Sequence, residues 1–142
     1  MKSVVVDTNV LIRFLSGDEH YRQAFDSYAK IIVPSVVIGE YKCGIKAGTA
    51  MGRRQKTALD AFMGKACVEL ATVGERETDW YSEIFQVMKR QGTPVPQNDM
   101  WIASVAMSTG SSILTDDGHF KQMPMLTQAE IDKVRSIMLE DK

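Results

Sequence analysis

Four acidic residues stand where apolar segments of this 142-residue chain end or begin. Asp7 ends the run Val-Val-Val-Asp, Glu40 ends Val-Val-Ile-Gly-Glu, Asp99 opens Asp-Met-Trp-Ile-Ala, and Asp117 closes Ile-Leu-Thr-Asp-Asp. Carboxylates beside apolar runs are costly to desolvate unless something positive pairs with them. Several carboxylates converging from separate elements therefore indicate a divalent cation, and oxygen donors suit Mg²⁺ or Mn²⁺ rather than zinc. Such an ion activates water and neutralises charge on a phosphodiester, which predicts metal-dependent phosphodiester hydrolysis.

The elements that must position these acids alternate between short apolar runs and segments of helical period, which predicts an α/β domain with a mostly parallel sheet. The predicted strands cover residues 4–6, 31–33, 68–70 and 112–115, with a weak fifth around Leu126. The predicted helices cover residues 18–30, 53–65, 75–91, 99–108 and 127–139, with further helices after Asp7 and Ser35. Ser35 and Asn98 are predicted to cap the helices that follow them.

The predicted topology brings the acids to one edge of the sheet. In an open parallel sheet, ligands bind outside the carboxyl ends of the strands. Asp7 and Asp117 follow strands, Asp99 opens a helix, and Glu40 lies about two helical turns beyond the second strand. Each acid alone also has an ordinary explanation, as a helix cap, a first-turn residue, a solvated helix residue or a turn residue. The occurrence of all four in this order favours a shared site.

The composition predicts one compact domain over residues 1–142, with the segment 128–142 as its C-terminal helix. The formal net charge is −1, so a phosphate-bearing partner must be held by metal or by a local basic patch. The densest basic stretch contains Lys42, Lys46, Arg53, Arg54 and Lys56. Cys43 and Cys67 are interpreted as reduced core residues. No apolar run approaches the roughly 18 residues of a membrane span, so cytoplasmic residence is expected.

Four motifs in order resemble those of PIN-domain ribonucleases, and most closely the VapC toxins of toxin-antitoxin pairs. They are Asp-Thr-Asn from residue 7, Pro-Ser and then Gly-Glu from residue 34 to 40, Asn-Asp-Met-Trp-Ile-Ala from residue 98, and Thr-Asp-Asp-Gly-His-Phe from residue 115. The resemblance covers residues 3 to about 127. Each motif alone carries little information, whereas four in order at suitable spacing are specific.

The resemblance implies a PIN-like domain with about five parallel strands flanked by helices, a homodimer, Mg²⁺ or Mn²⁺ dependence, and endonucleolytic cleavage of RNA that a small antitoxin protein blocks. By motif position, Asp7 and Asp99 match the direct metal ligands of the family, and Glu40 and Asp117 match its remaining acids. The polar supporting residues of the family are matched by Asn9 and Thr115. With this fold, Lys42, Lys46, Arg53 and Arg54 would lie near the cleft and could hold the RNA backbone.

The last motif departs from the family pattern. Asp116 stands where a basic or polar residue is usual, so Asp116 and Asp117 are both candidates for the fourth acid. The spacing to His119 and Phe120 favours Asp117. His119 itself is interpreted as structural or substrate-adjacent rather than as a general base.

Two other functions are compatible with these residues. A phosphohydrolase of the haloacid dehalogenase type also has an aspartate after its first strand, but that family expects a second aspartate where this chain has Asn9. A non-catalytic PIN-like module that binds metal or protein is the other alternative. The presence of all four acids argues against a degenerate site.

Overall fold

The computed structural model describes residues 3–126. Four parallel strands form one sheet within this range, namely β1 (Ser3–Val6), β2 (Lys30–Pro34), β3 (Val68–Ala71) and β4 (Ser112–Leu114). Their order is β3-β2-β1-β4, and β1 pairs in parallel with both β2 and β4. Strands β2 and β3 thus lie on one side of β1, and β4 lies on the other side. Such a reversal of strand order leaves a crevice at the carboxyl ends of the two strands that flank it.

Six α-helices and one 3₁₀ helix accompany the sheet in the described part of the chain. They are α1 (Thr8–Leu15), α2 (Glu19–Asp26), α3 (Ser35–Cys43), α4 (Ala50–Met63), α5 (Glu75–Gln91), α6 (Gln97–Thr109) and the 3₁₀ helix Gly118–Gln122. The bounds of α5 are those predicted from sequence. Gly92 ends this helix with a φ of 68°, a left-handed conformation that glycine adopts without steric cost.

The core lies around β1, whose residues Val4, Val5 and Val6 are fully buried. A central parallel strand is covered on both faces, so it reads as a continuous apolar run rather than an alternating one. Helix α1 contributes Val10 and Leu11 to the same core. Since β1 cannot shift without exposing these side chains, the residue that follows it is held in a fixed position.

Two helices begin earlier than predicted. Helix α3 begins at Ser35 directly after Pro34, and α6 begins at Gln97 directly after Pro96, so neither Ser35 nor Asn98 is the N-cap. Each proline holds the extended backbone of the cap position, where its missing N–H is not needed. The Ser35 hydroxyl instead accepts a hydrogen bond from the backbone N–H of Val73 at 3.4 Å.

Other predictions were wrong in detail. The helix predicted over residues 18–30 ends at Asp26, because the chain enters β2 at Lys30. The helix predicted over 53–65 spans Ala50–Met63, since Thr49 caps it through the backbone N–H of Gly52. Cys43 and Cys67 are free thiols as expected, but both are exposed rather than in the core.

The predicted fifth strand falls at the end of the described residues, where Leu126 lies in a bend. The predicted helix over 127–139 lies outside them. Among the helices of residues 3–126, none has the length and apolar character that crossing a membrane requires.

Candidate active site

Asp7 lies at the carboxyl end of β1 and caps helix α1. One carboxylate oxygen accepts the backbone N–H of Thr8 at 2.7 Å, and the other accepts the hydroxyl of Thr115 at 2.7 Å. Thr115 follows β4, so this second bond joins the ends of neighbouring strands. With 4% of its surface exposed, Asp7 is the most buried of the four acids. Both oxygens are therefore fixed in position by the fold.

Glu40 reaches the same region from helix α3. Its Oε1 atom accepts a hydrogen bond from the Thr8 hydroxyl at 2.7 Å. Thr8 thus connects two acids, because its backbone N–H binds Asp7 and its side chain binds Glu40. Glu40 is only half-buried, so it is the more accessible member of this pair.

Asp99 and Asp117 both contact one nitrogen of the His119 imidazole. The His119 Nδ1 atom lies 2.8 Å from Asp99 Oδ2 and 3.1 Å from Asp117 Oδ1. Asp99 comes from the first turn of α6, whereas Asp117 caps the 3₁₀ helix by accepting the backbone N–H of His119 at 2.9 Å. Thr115 accepts the backbone N–H of Asp117 at 3.0 Å, which ties this group to the Asp7 site.

Burial and mutual repulsion make the cluster electrostatically costly. Burial, aided by the charges of Asp99 and Asp117, raises the pKa of Asp7 from its ordinary 3.8 to about 6, although its two hydrogen bonds oppose the change. The pKa of Asp99 is likewise raised, first by burial and then by Asp117 and Glu40, while His119 opposes the change. The four predicted acids are therefore close enough for their charges to affect one another.

The donor set fits a small divalent cation. Donor atoms of Asp99, Asp117 and His119 lie within 4.8 Å of one another, and Asp7 is close enough for its pKa to respond to both aspartates. Carboxylate oxygens in a partly buried cleft are the ligands that Mg²⁺ and Mn²⁺ favour. A bound cation would also offset the mutual repulsion that adds to burial in raising the pKa values of Asp7 and Asp99.

Asn9 and Asp116 lie outside the group of four acids. Asn9 is exposed on α1. The side chain of Asp116 accepts the hydroxyl of Tyr21 from α2 at 2.7 Å, and burial together with this contact raises the pKa of Tyr21 to about 12. Asp117, rather than its neighbour, is therefore the residue next to Asp99.

The predicted basic residues lie on α3, on α4 and between them. Lys42, Lys46, Arg53 and Arg54 are all exposed. No salt bridge within residues 3–126 joins any of them to an acid of the site. Their charges are therefore available to a ligand in solvent.

Sequence reasoning missed the contacts of Thr8 and Tyr21 and gave His119 no specific partner. Thr8 and His119 could have been found, because each lies within two residues of a predicted acid. Tyr21 carries no such signal, since 95 residues separate it from Asp116. Only the fold places these two side chains together.

Comparison with known proteins identifies the family of the chain. The family model of the PIN domain matches residues 4–126. Among curated proteins, the chain is similar to the ribonuclease VapC2 of Rickettsia felis, with 25% identity over 134 residues that cover 91% of this chain and 98% of that protein.

Solved structures show the same fold at lower identity. A structure of VapBC2 from Rickettsia felis bound to a DNA fragment from their promoter matches with a TM-score of 0.77 and 22% identity, over 87% of this chain and 95% of that one. DNA-bound VapBC from Salmonella typhimurium matches with a TM-score of 0.76 and 23% identity, over 89% of this chain and 96% of that one. Because the family model matches most of the length of this chain, the chain belongs to the PIN-domain family.

Proposed function

We propose that this protein is a metal-dependent endoribonuclease and the toxin component of a toxin-antitoxin pair. One observation carries the proposal: Asp7, Glu40, Asp99 and Asp117 converge at the carboxyl edge of the sheet in a PIN domain, with Asp7 buried and its pKa raised. The similarity to a curated ribonuclease along nearly the whole chain supports the same activity.

Residues of the cleft would either bind the metal ion or orient the residues that bind it. Asp7 and Asp99 would hold Mg²⁺ or Mn²⁺, with Asp117 and Glu40 beside them. When bound, the ion would supply Lewis-acid stabilisation of the charge that develops on the phosphodiester. Thr8 and Thr115 keep the Asp7 carboxylate in one orientation, which reduces reorganisation during the reaction.

Glu40 is the candidate for proton transfer. One of its oxygens is held by Thr8, and the side chain is half-buried. Its other oxygen can accept a proton from the attacking water. The products would carry a 5′-phosphate and a 3′-hydroxyl.

The partners follow from the same proposal. Lys42, Lys46, Arg53 and Arg54 would contact the RNA backbone. A small antitoxin protein would block the cleft, in keeping with the VapBC complexes that share this fold. The protein would act as a homodimer in the cytoplasm, where its RNA substrate is found.

The test is cleavage of a mixed RNA pool by purified protein with Mg²⁺ or Mn²⁺ and with EDTA. Asp7→Asn and Asp99→Asn should abolish cutting, whereas Asp79→Asn, at an exposed position on α5, should retain it. Activity that survives in the first two variants would show that the cutting comes from a contaminant.

The same experiment separates the alternatives. Metal binding without cleavage would favour the non-catalytic PIN-like module. Release of phosphate from phosphomonoesters, with RNA left intact, would favour the haloacid dehalogenase-type phosphohydrolase. The phosphohydrolase family expects a second aspartate two residues after the first. This chain has the exposed Asn9 at that position, so the structure does not support a phosphohydrolase.

A further inference from the structure

We propose that His119 is a nitrogen ligand of the cation, and that it shifts the preference of the site from Mg²⁺ toward first-row transition metal ions such as Mn²⁺. The inference rests on the proposed metal site but concerns a residue that the family motifs do not assign to the metal. His119 lies on the 3₁₀ helix, two residues after Asp117.

The distances around the imidazole fit a shared ion. Two ligands at right angles on an octahedral ion with bonds near 2.1 Å lie roughly 3 Å apart. The Nδ1 atom of His119 is 2.8 Å from Asp99 Oδ2 and 3.1 Å from Asp117 Oδ1. Since all three donor atoms also lie within 4.8 Å of one another, they can face one ion.

The backbone holds the imidazole at this position. Asp117 accepts the backbone N–H of His119, and the next residue, Phe120, is fully buried in the core. The imidazole is 44% exposed, so an ion can approach it from solvent. The residue is thus anchored at its backbone, and its ring is partly exposed to solvent.

The chemistry of the donor decides the selectivity. Mg²⁺ is a hard ion that favours oxygen ligands and retains bound water, whereas imidazole nitrogen binds transition metal ions more strongly. An all-oxygen cleft would distinguish Mg²⁺ from Mn²⁺ weakly. A nitrogen donor in the same cleft should favour Mn²⁺.

The chain offers a direct spectroscopic test, because His20 and His119 are its only histidines. The untagged protein would be loaded with Mn²⁺ and measured by electron spin-echo envelope modulation, which detects nitrogen bound to the ion. His20→Asn, at an exposed position on α2, leaves His119 as the sole imidazole. His119→Asn keeps a polar side chain but replaces nitrogen coordination with an amide oxygen.

The inference requires ¹⁴N coupling in the wild type and in His20→Asn, and its loss in His119→Asn. Titration calorimetry should show that His119→Asn weakens Mn²⁺ binding at least about tenfold more than Mg²⁺ binding. A residue that only hydrogen-bonds to a metal ligand also matters, since its loss weakens metal binding about 10–100-fold. That loss should weaken the binding of Mg²⁺ and Mn²⁺ equally. Equal weakening of both ions, or wild-type protein without nitrogen coupling, would overturn the inference.

Failure of the proposed function gives a different result. If the spectrum shows nitrogen coupling but the protein does not cleave RNA, His119 is a metal ligand and the proposed nuclease activity is wrong. Wild-type protein that binds neither ion would overturn both proposals.

Discussion

Asp7→Asn should abolish RNA cleavage and at the same time stabilise the metal-free protein at neutral pH. Asp7 is 4% exposed, and its pKa of about 6 lies well above the ordinary 3.8. This difference corresponds to about 3 kcal/mol by which the ionised carboxylate destabilises the folded state. Asparagine removes the charge but keeps only one of the two acceptor oxygens, which costs about 1 kcal/mol. The net gain in the free energy of unfolding should be about 2 kcal/mol.

The gain should depend on pH in a defined direction. The folded-state pKa of Asp7 is raised, so its contribution to stability is fully present below about 3.8 and is lost as the pH rises through about 6. Above pH 7 the wild type carries the whole penalty and the variant carries none of it. The difference in stability should therefore be largest near pH 8 and shrink toward pH 5.

The measurement is urea unfolding in EDTA at pH 5 and pH 8, with Asp79→Asn as the matched control at an exposed site. Mg²⁺ or Mn²⁺ should then stabilise the wild type and not Asp7→Asn, because ligand binding to the folded state adds to its stability. A variant that is no more stable than the wild type at pH 8, or a gain that is the same at both pH values, would refute the reasoning.

Three further variants test the remaining interactions. Thr8→Val removes the hydroxyl that holds Glu40, so kcat should fall about tenfold at unchanged KM, and an unchanged kcat would show that this bond does not orient the acid. Tyr21→Phe removes a hydrogen bond between α2 and the segment after β4, and urea unfolding should show that stability falls by about 1–2 kcal/mol; unaltered stability would contradict the hydrogen bond. Changing Arg53 and Arg54 to Glu should weaken RNA binding. The steepness of log K against log salt should fall by about 0.7 for each phosphate that the protein no longer neutralises. RNA binding equal to that of the wild type across a salt titration would show that neither arginine contacts the RNA.

Much of the fold was predictable because local signals and burial agree. The valines of β1 form a continuous apolar run, and this central strand is buried on both faces. Helix α5 combines a regular apolar period with Gly92 at its end, so its bounds were predicted without error. Phe85 belongs to the same apolar period and is nevertheless 45% exposed. Periodicity gives the direction of the buried stripe on a helix, but the neighbouring elements set its width.

The sequence by itself determined the order of the four acids and their attachment to the ends of strands and helices. Parallel pairing then required Asp7 and the segment around Asp117 to share one edge, since side chains that follow adjacent parallel strands emerge on the same side. The prediction of a bound cation followed from the same placement, because carboxylates gathered near apolar elements repel one another.

The tertiary structure alone decided which polar groups bind which acids. Thr8 and Glu40 are 32 residues apart, His119 and Asp99 are 20 apart, and both pairs meet within hydrogen-bonding distance. Most N–H···O hydrogen bonds span about 2.7–3.2 Å, so they depend on the packing of whole helices and on side-chain rotamers that no local pattern encodes. The acids were therefore visible in the sequence, whereas the contacts of the His119 imidazole with Asp99 and Asp117 became visible only in the folded chain.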